Sequence, residues 1–369
     1  MTRHADILVV GGGPAGIAAG IAARQAGLRV TIADHCRPPI DKACGEGLLP
    51  NGVVALRSLG VELTPHIAFP FRGIRFEDNK SSVAAAFPGG PGFGVRRTVL
   101  HEILIQRAMA AGVDFLWGAR VSLQSQDRIA VDGQAFQCNW VVGADGQNSG
   151  VRSWAGLAPL FPGRSRFGFR RHFQAAPWSD CVEVHWGDRC QIVVTPTSSS
   201  EICVVVFTEN PQLRLDCALP QFPAMAAKLH GAPITTFERG DMTTLRRLPT
   251  VVRGRVALIG DASGSMDALT GYGLSLAFQQ ALHLADALVR NDLCRYQSAH
   301  QQLAVLPGRM SRLLVAMHDS AWIRRRALRL FAQKPDLFSK VLSVHTGQSV
   351  EASLGAGQVL ELGWQILTA

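Results

Sequence analysis

The chain has 369 residues, of which 47% are hydrophobic and 18% charged, and its formal net charge is +9. This length is ample for a buried core, most simply in two joined domains. The basic residues are scattered and are not interleaved with aromatic residues, so we predict no nucleic-acid partner. The eight cysteines form no C-x-x-C pair and no metal-ligand spacing. We therefore expect free thiols, no metal and a cytoplasmic protein.

Residues 5–34 predict a strand, a helix and a second strand. The apolar run from Ile7 to Val10 is typical of a buried parallel strand, and a later β-branched run ends at Asp34. An Ala-rich helical stretch lies between these runs. The turn that joins the first strand to this helix fits G-x-G-x-x-G and contains Gly11, Gly13, Pro14, Ala15 and Gly16.

This spacing is suited to a dinucleotide. Gly11 permits a tight turn, Gly13 lets the backbone approach a pyrophosphate, and Gly16 lets helix and strand pack closely. The helix N-terminus presents unpaired N–H groups to the phosphates. Asp34 follows Gly16 at the spacing expected of a carboxylate that binds a ribose.

The middle of the chain alternates between strand and helix patterns. Cys44 is followed by Gly45 and Gly47, which predict a tightly bent loop. A strand-like run then leads into Gly143-Ala144-Asp145-Gly146. The other elements expected here are helices at about 51–59 and 98–111 and strands at 71–77, 82–87, 114–119, 128–131 and 136–142.

The second half begins with a strand-rich stretch over about 166–208, which predicts an antiparallel sheet. A buried strand at 256–259 then ends at Gly260 and Asp261. Gly271 and Gly273 precede a long amphipathic helix, and the remainder of the chain is helical in pattern and basic.

Three strand-to-turn motifs thus stand in order, near Gly11, Asp145 and Asp261. This order and spacing resemble the FAD-dependent oxidoreductases of the p-hydroxybenzoate hydroxylase superfamily, which includes aromatic hydroxylases and geranylgeranyl reductases. The resemblance extends from about Ala5 to Val289. It implies an α/β fold: a Rossmann-like FAD-binding domain of the glutathione-reductase type, an inserted antiparallel β-sheet substrate domain and a helical C-terminus.

The same resemblance implies boundaries. We expect a discontinuous FAD-binding domain of residues 1–66, 95–163 and 246–290. The substrate domain would comprise 67–94 and 164–245, and the C-terminal helical region 291–369.

The resemblance also implies roles for individual residues. Arg97 would contact the flavin, with Arg96 as the alternative, and Asp145 would support the flavin side of the site. Asp261 would accept hydrogen bonds from the ribityl chain, since a carboxylate facing the pyrophosphate would repel it. The implied cofactor-binding residues are Gly11, Gly13, Pro14, Ala15, Gly16, Asp34, Cys44, Gly45, Arg97, Asp145, Gly260, Asp261, Gly271 and Gly273.

Two features are candidates for a direct part in the reaction. Gly271 and Gly273 would let the flat ring lie on backbone, where the N-terminus of the following helix stabilises negative charge on reduced flavin. Cys44 lies in a Cys-Gly-x-Gly sequence that resembles geranylgeranyl-reductase-like members. Its thiol would either take part in proton transfer or serve as a small packing residue.

Substrate residues are less defined by the sequence. His172, His185 and Trp186 lie on predicted strands and could face a pocket, although alternation allows only half of a strand to do so. Buried or solvated positions are the alternative. Pro196 predicts a sheet edge near the flavin, and Tyr272 could face the substrate from the glycine-rich loop.

The leading functional hypothesis is an NAD(P)H-dependent FAD monooxygenase of an aromatic or polyketide-like molecule. The chain has no second G-x-G-x-x-G unit, so NAD(P)H would act as a transient donor. It also lacks W-x-W-x-I-P, which argues against halogenation. The alternatives are a flavin-dependent reductase of an isoprenoid double bond and a non-catalytic flavin-binding redox protein. The basic C-terminus predicts a charged helix face, or contact with a membrane or carrier protein.

Overall fold

The computed structural model describes residues 3–125, 128–159 and 163–347. Of the predicted C-terminal helical region, 291–369, the part after residue 347 therefore lies outside the described residues. The strands are β1 (Arg3–His4), β2 (Ile7–Val10), β3 (Val30–Asp34), β4 (Gly47–Leu48), β5 (Phe69–Phe71), β6 (Gly73–Glu77), β7 (Ser82–Ala86), β8 (Gly92–Gly94), β9 (Asp114–Trp117), β10 (Val121–Ser125), β11 (Arg128–Val131), β12 (Gln134–Gln137), β13 (Trp140–Gly143), β14 (Ser165–Phe173), β15 (Cys181–Trp186), β16 (Cys190–Pro196), β17 (Ile202–Thr208), β18 (Arg239–Thr244), β19 (Arg246–Arg247), β20 (Val252–Arg253), β21 (Val256–Leu258) and β22 (Gly264–Ser265).

The helices lie between and after these strands. They are α1 (Pro14–Gln25), α2 (Pro50–Ser58), α3 (Arg97–Ala110), α4 (Gly150–Trp154), α5 (Leu215–Ala218), α6 (Pro223–Leu229), α7 (Gly273–Val289), α8 (Leu293–Leu303), α9 (Val305–Asp319), α10 (Ala321–Gln333) and α11 (Pro335–His345), with 3-10 turns at Leu219–Gln221, Gly260–Ser263 and Ala268–Thr270. Among the helices of the described ranges, none combines the length and apolarity needed to cross a bilayer.

The first sheet is the parallel sheet that the sequence predicts, in the order β20-β21-β13-β2-β3-β9. Only the β20–β21 pair is antiparallel. Leu8 pairs with Val141 on one side and with Thr31 on the other, which places β2 in the middle. Helices α1 and α7 pack on each other against this sheet. The carboxyl ends of β2, β13 and β21 therefore lie side by side at one edge.

The second sheet has seven strands in the order β18-β14-β17-β16-β15-β6-β7. It is mixed, because β6 pairs parallel with β15, whereas the sequence predicted an antiparallel sheet. β6 and β15 are far apart in the sequence and are separated by several other strands and helices. No hairpin joins them, so nothing forces the pair to be antiparallel. The described ranges also contain a four-stranded, a three-stranded and a two-stranded sheet.

Both faces of the central strands of this sheet are buried, and every residue of β16 and β17 is buried. Val204 and Val206 face the core formed with α5 and α6. Val205 and Phe207, one residue out of phase, face the core formed with α9, α10 and α11. The last three helices therefore cover one face of the sheet.

Candidate cofactor and substrate site

A cavity of about 750 Å³ lies between the carboxyl edge of the parallel sheet, the seven-stranded sheet and the C-terminal helices. The loops that follow β2, β3, β13 and β21 all contribute to its wall. The three motifs named by the sequence therefore converge on one cleft. This position is where ligands bind in open α/β sheets.

The glycines of the first motif have two different functions. Gly11 has φ of +114°, and a Cβ there would lie 2.4 Å from the Ala144 carbonyl oxygen. A Cβ at Gly16 would lie 1.9 Å from the Gly11 carbonyl oxygen, so the fold itself requires both glycines. A Cβ at Gly13 would instead meet no atom within 4 Å among the described residues. Gly13 keeps the cavity open at the N-terminus of α1, as a bound pyrophosphate requires.

Asp34 lies at the cavity wall with its carboxylate already engaged in the turn. It accepts hydrogen bonds from the backbone N–H of Gly12 at 2.6 Å and of Cys36 at 2.7 Å. These bonds hold the carboxylate at the end of β3. A carboxylate has about four acceptor positions, so this arrangement leaves capacity for the predicted ribose hydroxyl.

The structure separates the two arginines that the sequence left as alternatives. Arg96 forms an ion pair with Glu201 at 2.6 Å. Arg97 begins α3 and lines the cavity, and its buried Nε has no hydrogen-bond partner among the described residues. A buried guanidinium N–H without a partner is costly, and a bound flavin would remove that cost.

The other two motif carboxylates differ in their surroundings. Asp145 caps α4 by accepting bonds from Ser149 Oγ at 2.5 Å and from the Val151 N–H at 3.1 Å. Asp261 lies deep in the fold but is exposed to the cavity, and burial raises the pKa of its carboxyl. Its side chain makes no hydrogen bond within the described part of the chain. The hydroxyls of a ribityl chain would supply the missing donors.

Gly271 and Gly273 form the opposite wall. A Cβ at either position would meet no atom within 4 Å in the described ranges, so both face open space. Gly271 has φ of +67°, which favours glycine, and α7 begins at Gly273 without a side-chain cap. A flat ring can lie on this backbone with the helix N-terminus beside it. The glycine turn from Gly11 to Gly16, the Gly271–Gly273 backbone, Arg97 and Asp261 together fit FAD.

A buried ion pair that the sequence did not reveal holds this loop in place. Arg166 on β14 donates to Asp267 at 3.0 Å, and the two side chains are 2% and 1% exposed. Asp267 also accepts the N–H of Leu269 at 2.9 Å. On the other side, His345 at the end of α11 contacts the Thr270 carbonyl at 3.0 Å. The loop from 267 to 273 is therefore fixed by both the sheet and the C-terminal helices.

Cys44 lies on the cavity wall above a second buried network. Its Sγ accepts the N–H of Glu46 at 3.3 Å, and burial raises the pKa of the thiol. Glu46 accepts from Arg170 at 3.1 Å and from His172 at 2.7 Å, and Arg170 also pairs with Asp41 at 2.9 Å. His172 is thus used in this network and does not line the cavity. The predicted roles of Cys44 and Gly45 stay predictions, although both residues line the cavity.

The same network contains a cluster with the elements of a metal site. Ligand atoms of Glu46, His172 and Cys203 all lie within 4.8 Å of one another. Arg170 places a positive charge against the Glu46 carboxylate, which opposes a cation. We therefore interpret the cluster as a charge network that holds the 41–47 loop on the sheet.

Two other predicted substrate residues lie away from the cavity. His185 bonds to Glu183 at 3.0 Å. Burial opposes ionisation of Glu183, but hydrogen bonds from His185 and Trp178 lower its pKa to about 2. Trp186 is 2% exposed and packs against Phe76 in the apolar core. As consecutive residues of β15 they point to opposite faces of the sheet, and neither lines the cavity.

The remaining substrate candidates have mixed outcomes. Pro196 ends β16, an interior strand and not the expected edge, because β15 and β17 pair on either side of it. The preceding Thr195 lines the cavity. Tyr272 lines it too, and its hydroxyl donates to the His345 carbonyl, while burial raises its pKa to about 12.

Part of the cavity is an apolar chamber. One wall comes from the seven-stranded sheet and the other from the C-terminal helices, a contribution that the sequence did not predict. The chamber is lined by Phe71, Ile74, Phe76, Val182, Val184, Val193, Val205, Phe207, Met310, Leu313, Leu314, Phe331, Phe338, Val341 and Leu342.

Known proteins resemble this chain in sequence and in fold. A menaquinone reductase of Mycolicibacterium smegmatis is 33% identical over 161 residues, which is 40% of this chain and 39% of the relative. An aurachin C monooxygenase/isomerase of Stigmatella aurantiaca is 24% identical over 90% of this chain and 96% of the relative. The solved flavin-dependent brominase Bmp2 shares the fold, with a TM-score of 0.78, 18% identity and 99% of each chain covered.

The family model described as "FAD binding domain" matches residues 4–291. This range contains all the glycines and carboxylates that the sequence predicts to bind FAD. Its match ends just before α8, so the helices that line the apolar chamber lie beyond it. The chain therefore belongs to the FAD-binding-domain family and is an FAD-dependent oxidoreductase.

Proposed function

We propose that this protein is an NAD(P)H-dependent FAD monooxygenase of an aromatic or polyketide-like molecule that carries an apolar substituent. The observation that carries the proposal is the continuity of the cavity. A planar group in its middle would lie against the Gly271–Gly273 backbone, and a substituent would extend into the apolar chamber. The relatives named for aurachin C and menaquinone support a ring-bearing, apolar substrate.

When bound, FAD supplies the redox chemistry, with NAD(P)H as the electron donor and O₂ as the oxidant. The chain supplies binding and electrostatics. The N-terminus of α7 and the Arg97 guanidinium both place positive charge at the cavity wall, where they stabilise an anionic ring. The apolar chamber excludes water from the space beside the ring.

Substrate orientation would come from the contrast between polar and apolar parts of the cavity lining. Thr195 and Tyr272 are polar residues of the lining, whereas Phe331 and Phe338 belong to the apolar helical wall. A molecule with one polar ring and one aliphatic chain would match both kinds of surface. A compact polar aromatic acid would leave the apolar surface in contact with water, at a cost of about 25 cal/mol per Å².

The test is anaerobic reduction of the bound flavin by NADH or NADPH, followed by admission of O₂. Two matched ligands are used, a hydroxyquinolone or hydroxynaphthoquinone with an alkyl chain and the same ring without it. We expect the alkylated ring to accelerate reduction and to be hydroxylated, with an oxygen atom from O₂ in the product. Turnover that proceeds equally well without O₂ would contradict a monooxygenase.

The second candidate is a flavin-dependent reductase of an isoprenoid or related double bond. It is favoured by Cys44, whose protonated thiol lies on the cavity wall and could donate a proton to a reduced product. The variant Cys44→Ser distinguishes the two, with Cys294→Ser on the exposed face of α8 as the control. A reductase would lose most of its activity only in Cys44→Ser, whereas a monooxygenase would keep it in both.

A further inference from the structure

Helix α10 has two chemically different faces. Ala327, Leu328, Leu330 and Phe331 are buried against the sheet and neighbouring helices. The opposite face is exposed and carries Trp322, which is 46% exposed, together with basic side chains. Tryptophan beside Lys and Arg on an amphipathic helix is the composition of helices that lie at a membrane surface.

The charge on this segment is strongly one-sided. Residues 321–340 contain six basic residues and a single acidic one, Asp336. Arg324 turns inward and donates to the Met317 carbonyl at 3.2 Å, and Arg326 lies over the Trp322 ring at 4.4 Å. The basic side chains exposed on α10 and α11, with the residue that joins them, are Arg325, Arg329, Lys334 and Lys340.

The same helices form a wall of the apolar chamber. Phe331 of α10 and Phe338 and Val341 of α11 line the cavity. A helix with its side chains is about 10–12 Å across, so the basic outer face and the chamber are one helix apart. An apolar compound held at the outer face would be close to the substrate chamber.

We propose that the outer face of α10 and the start of α11, defined by Trp322, Arg325, Arg329 and Lys334, docks on the surface of an anionic lipid bilayer. Clusters of Lys and Arg on an amphipathic helix bind anionic headgroups, and a tryptophan inserts at the headgroup level. The lipid surface explains both the charge and the tryptophan, whereas an acidic protein partner would need only the charge. This inference does not depend on the proposed reaction.

The experiment is co-sedimentation of the full-length, FAD-loaded protein with phosphatidylglycerol-containing vesicles, and with pure phosphatidylcholine vesicles. We expect binding to the anionic vesicles at low ionic strength, weaker binding at high salt and none to phosphatidylcholine. Neutralising two contacts in Arg325→Gln/Arg329→Gln should lower the partition coefficient about thirtyfold. Trp322→Ala should also weaken binding without changing the salt dependence.

The control variant is Arg57→Gln/Arg290→Gln, which removes the same charge from two exposed positions, one in the last turn of α2 and one just after α7. We expect it to bind vesicles almost as well as the wild type. Circular dichroism and FAD absorbance report whether each variant is folded. The proposal is overturned if the anionic vesicles do not bind, if the control loses as much binding, or if soluble polyglutamate competes fully while Trp322→Ala has no effect.

Discussion

The substitution Gly13→Ala tests whether the first glycine motif holds FAD independently of the fold. Gly13 has φ of −74° and ψ of 174°, values that alanine adopts without strain, and the added Cβ would meet no described atom within 4 Å. The stability of the apoprotein should therefore change by less than about 1 kcal/mol. The Cβ would occupy space that the pyrophosphate needs at the N-terminus of α1.

The expected loss of FAD affinity follows from the bonds that the pyrophosphate would give up. A hydrogen bond to a charged group contributes about 1.5–3 kcal/mol. Displacing the phosphate from one N–H of the first turn should weaken FAD binding by about 10- to 150-fold. Flavin fluorescence during titration of the apoprotein measures the dissociation constant, and thermal unfolding followed by circular dichroism measures apoprotein stability.

Gly16→Ala is the matched control, because its Cβ would lie 1.9 Å from the Gly11 carbonyl oxygen. This clash requires the backbone to move, at a cost of at least about 1–3 kcal/mol. We expect Gly16→Ala to lower the unfolding temperature and Gly13→Ala to lower only FAD affinity. If Gly13→Ala binds FAD as tightly as the wild type, the pyrophosphate does not lie at this turn.

Three further predictions concern buried charge. Arg166→Met should lower the free energy of unfolding by about 3–5 kcal/mol, measured in urea, because Asp267 would stay buried without a counter-charge, and Arg166→Met/Asp267→Leu should recover most of the loss. Asp261→Asn should stabilise the apoprotein at pH 7 and weaken FAD binding, because burial raises the pKa of this carboxyl in the folded state and its ionised form is therefore destabilising. The stabilisation should vanish as the pH falls below 3.8, the pKa of the carboxyl in the unfolded chain. Burial lowers the pKa of His300 and of His318 from 6.5 to about 4, so stability should fall as the pH decreases from 6.5 toward 4, and His318→Gln should flatten this dependence in pH-dependent thermal unfolding.

The cofactor side of the site could be predicted because its signals are local. Gly11 to Asp34 form one βαβ unit in which spacing along the chain determines position in space. Asp145 and Asp261 follow strands of the same parallel sheet, so their convergence follows from sheet topology. Arg97 required the family resemblance, because a single arginine before a helix has no distinguishing local pattern.

The second part of the site depends on contacts between distant residues. Glu46 meets His172 across 126 positions and Arg166 meets Asp267 across 101. No periodicity signals such pairs, and strand alternation alone cannot tell which face of β14 meets a loop and which meets a helix. This is why His172 was expected near the substrate, whereas its partner Glu46, the residue that anchors the cysteine loop, was not identified.

The cavity divides where the family match ends. The residues proposed to hold FAD lie within residues 4–291, whereas α9, α10 and α11, beyond the match, build much of the apolar chamber. Residues that hold a cofactor would be constrained by its shape, whereas helical wall residues such as Leu314 and Phe331 would be constrained by packing and by the proposed substrate. His345 and Tyr272 join the two parts, since the end of α11 fixes the loop on which the flavin ring would lie. A change of substrate wall can therefore alter the position of the ring, which couples substrate shape to flavin chemistry through a contact between backbone and side chain.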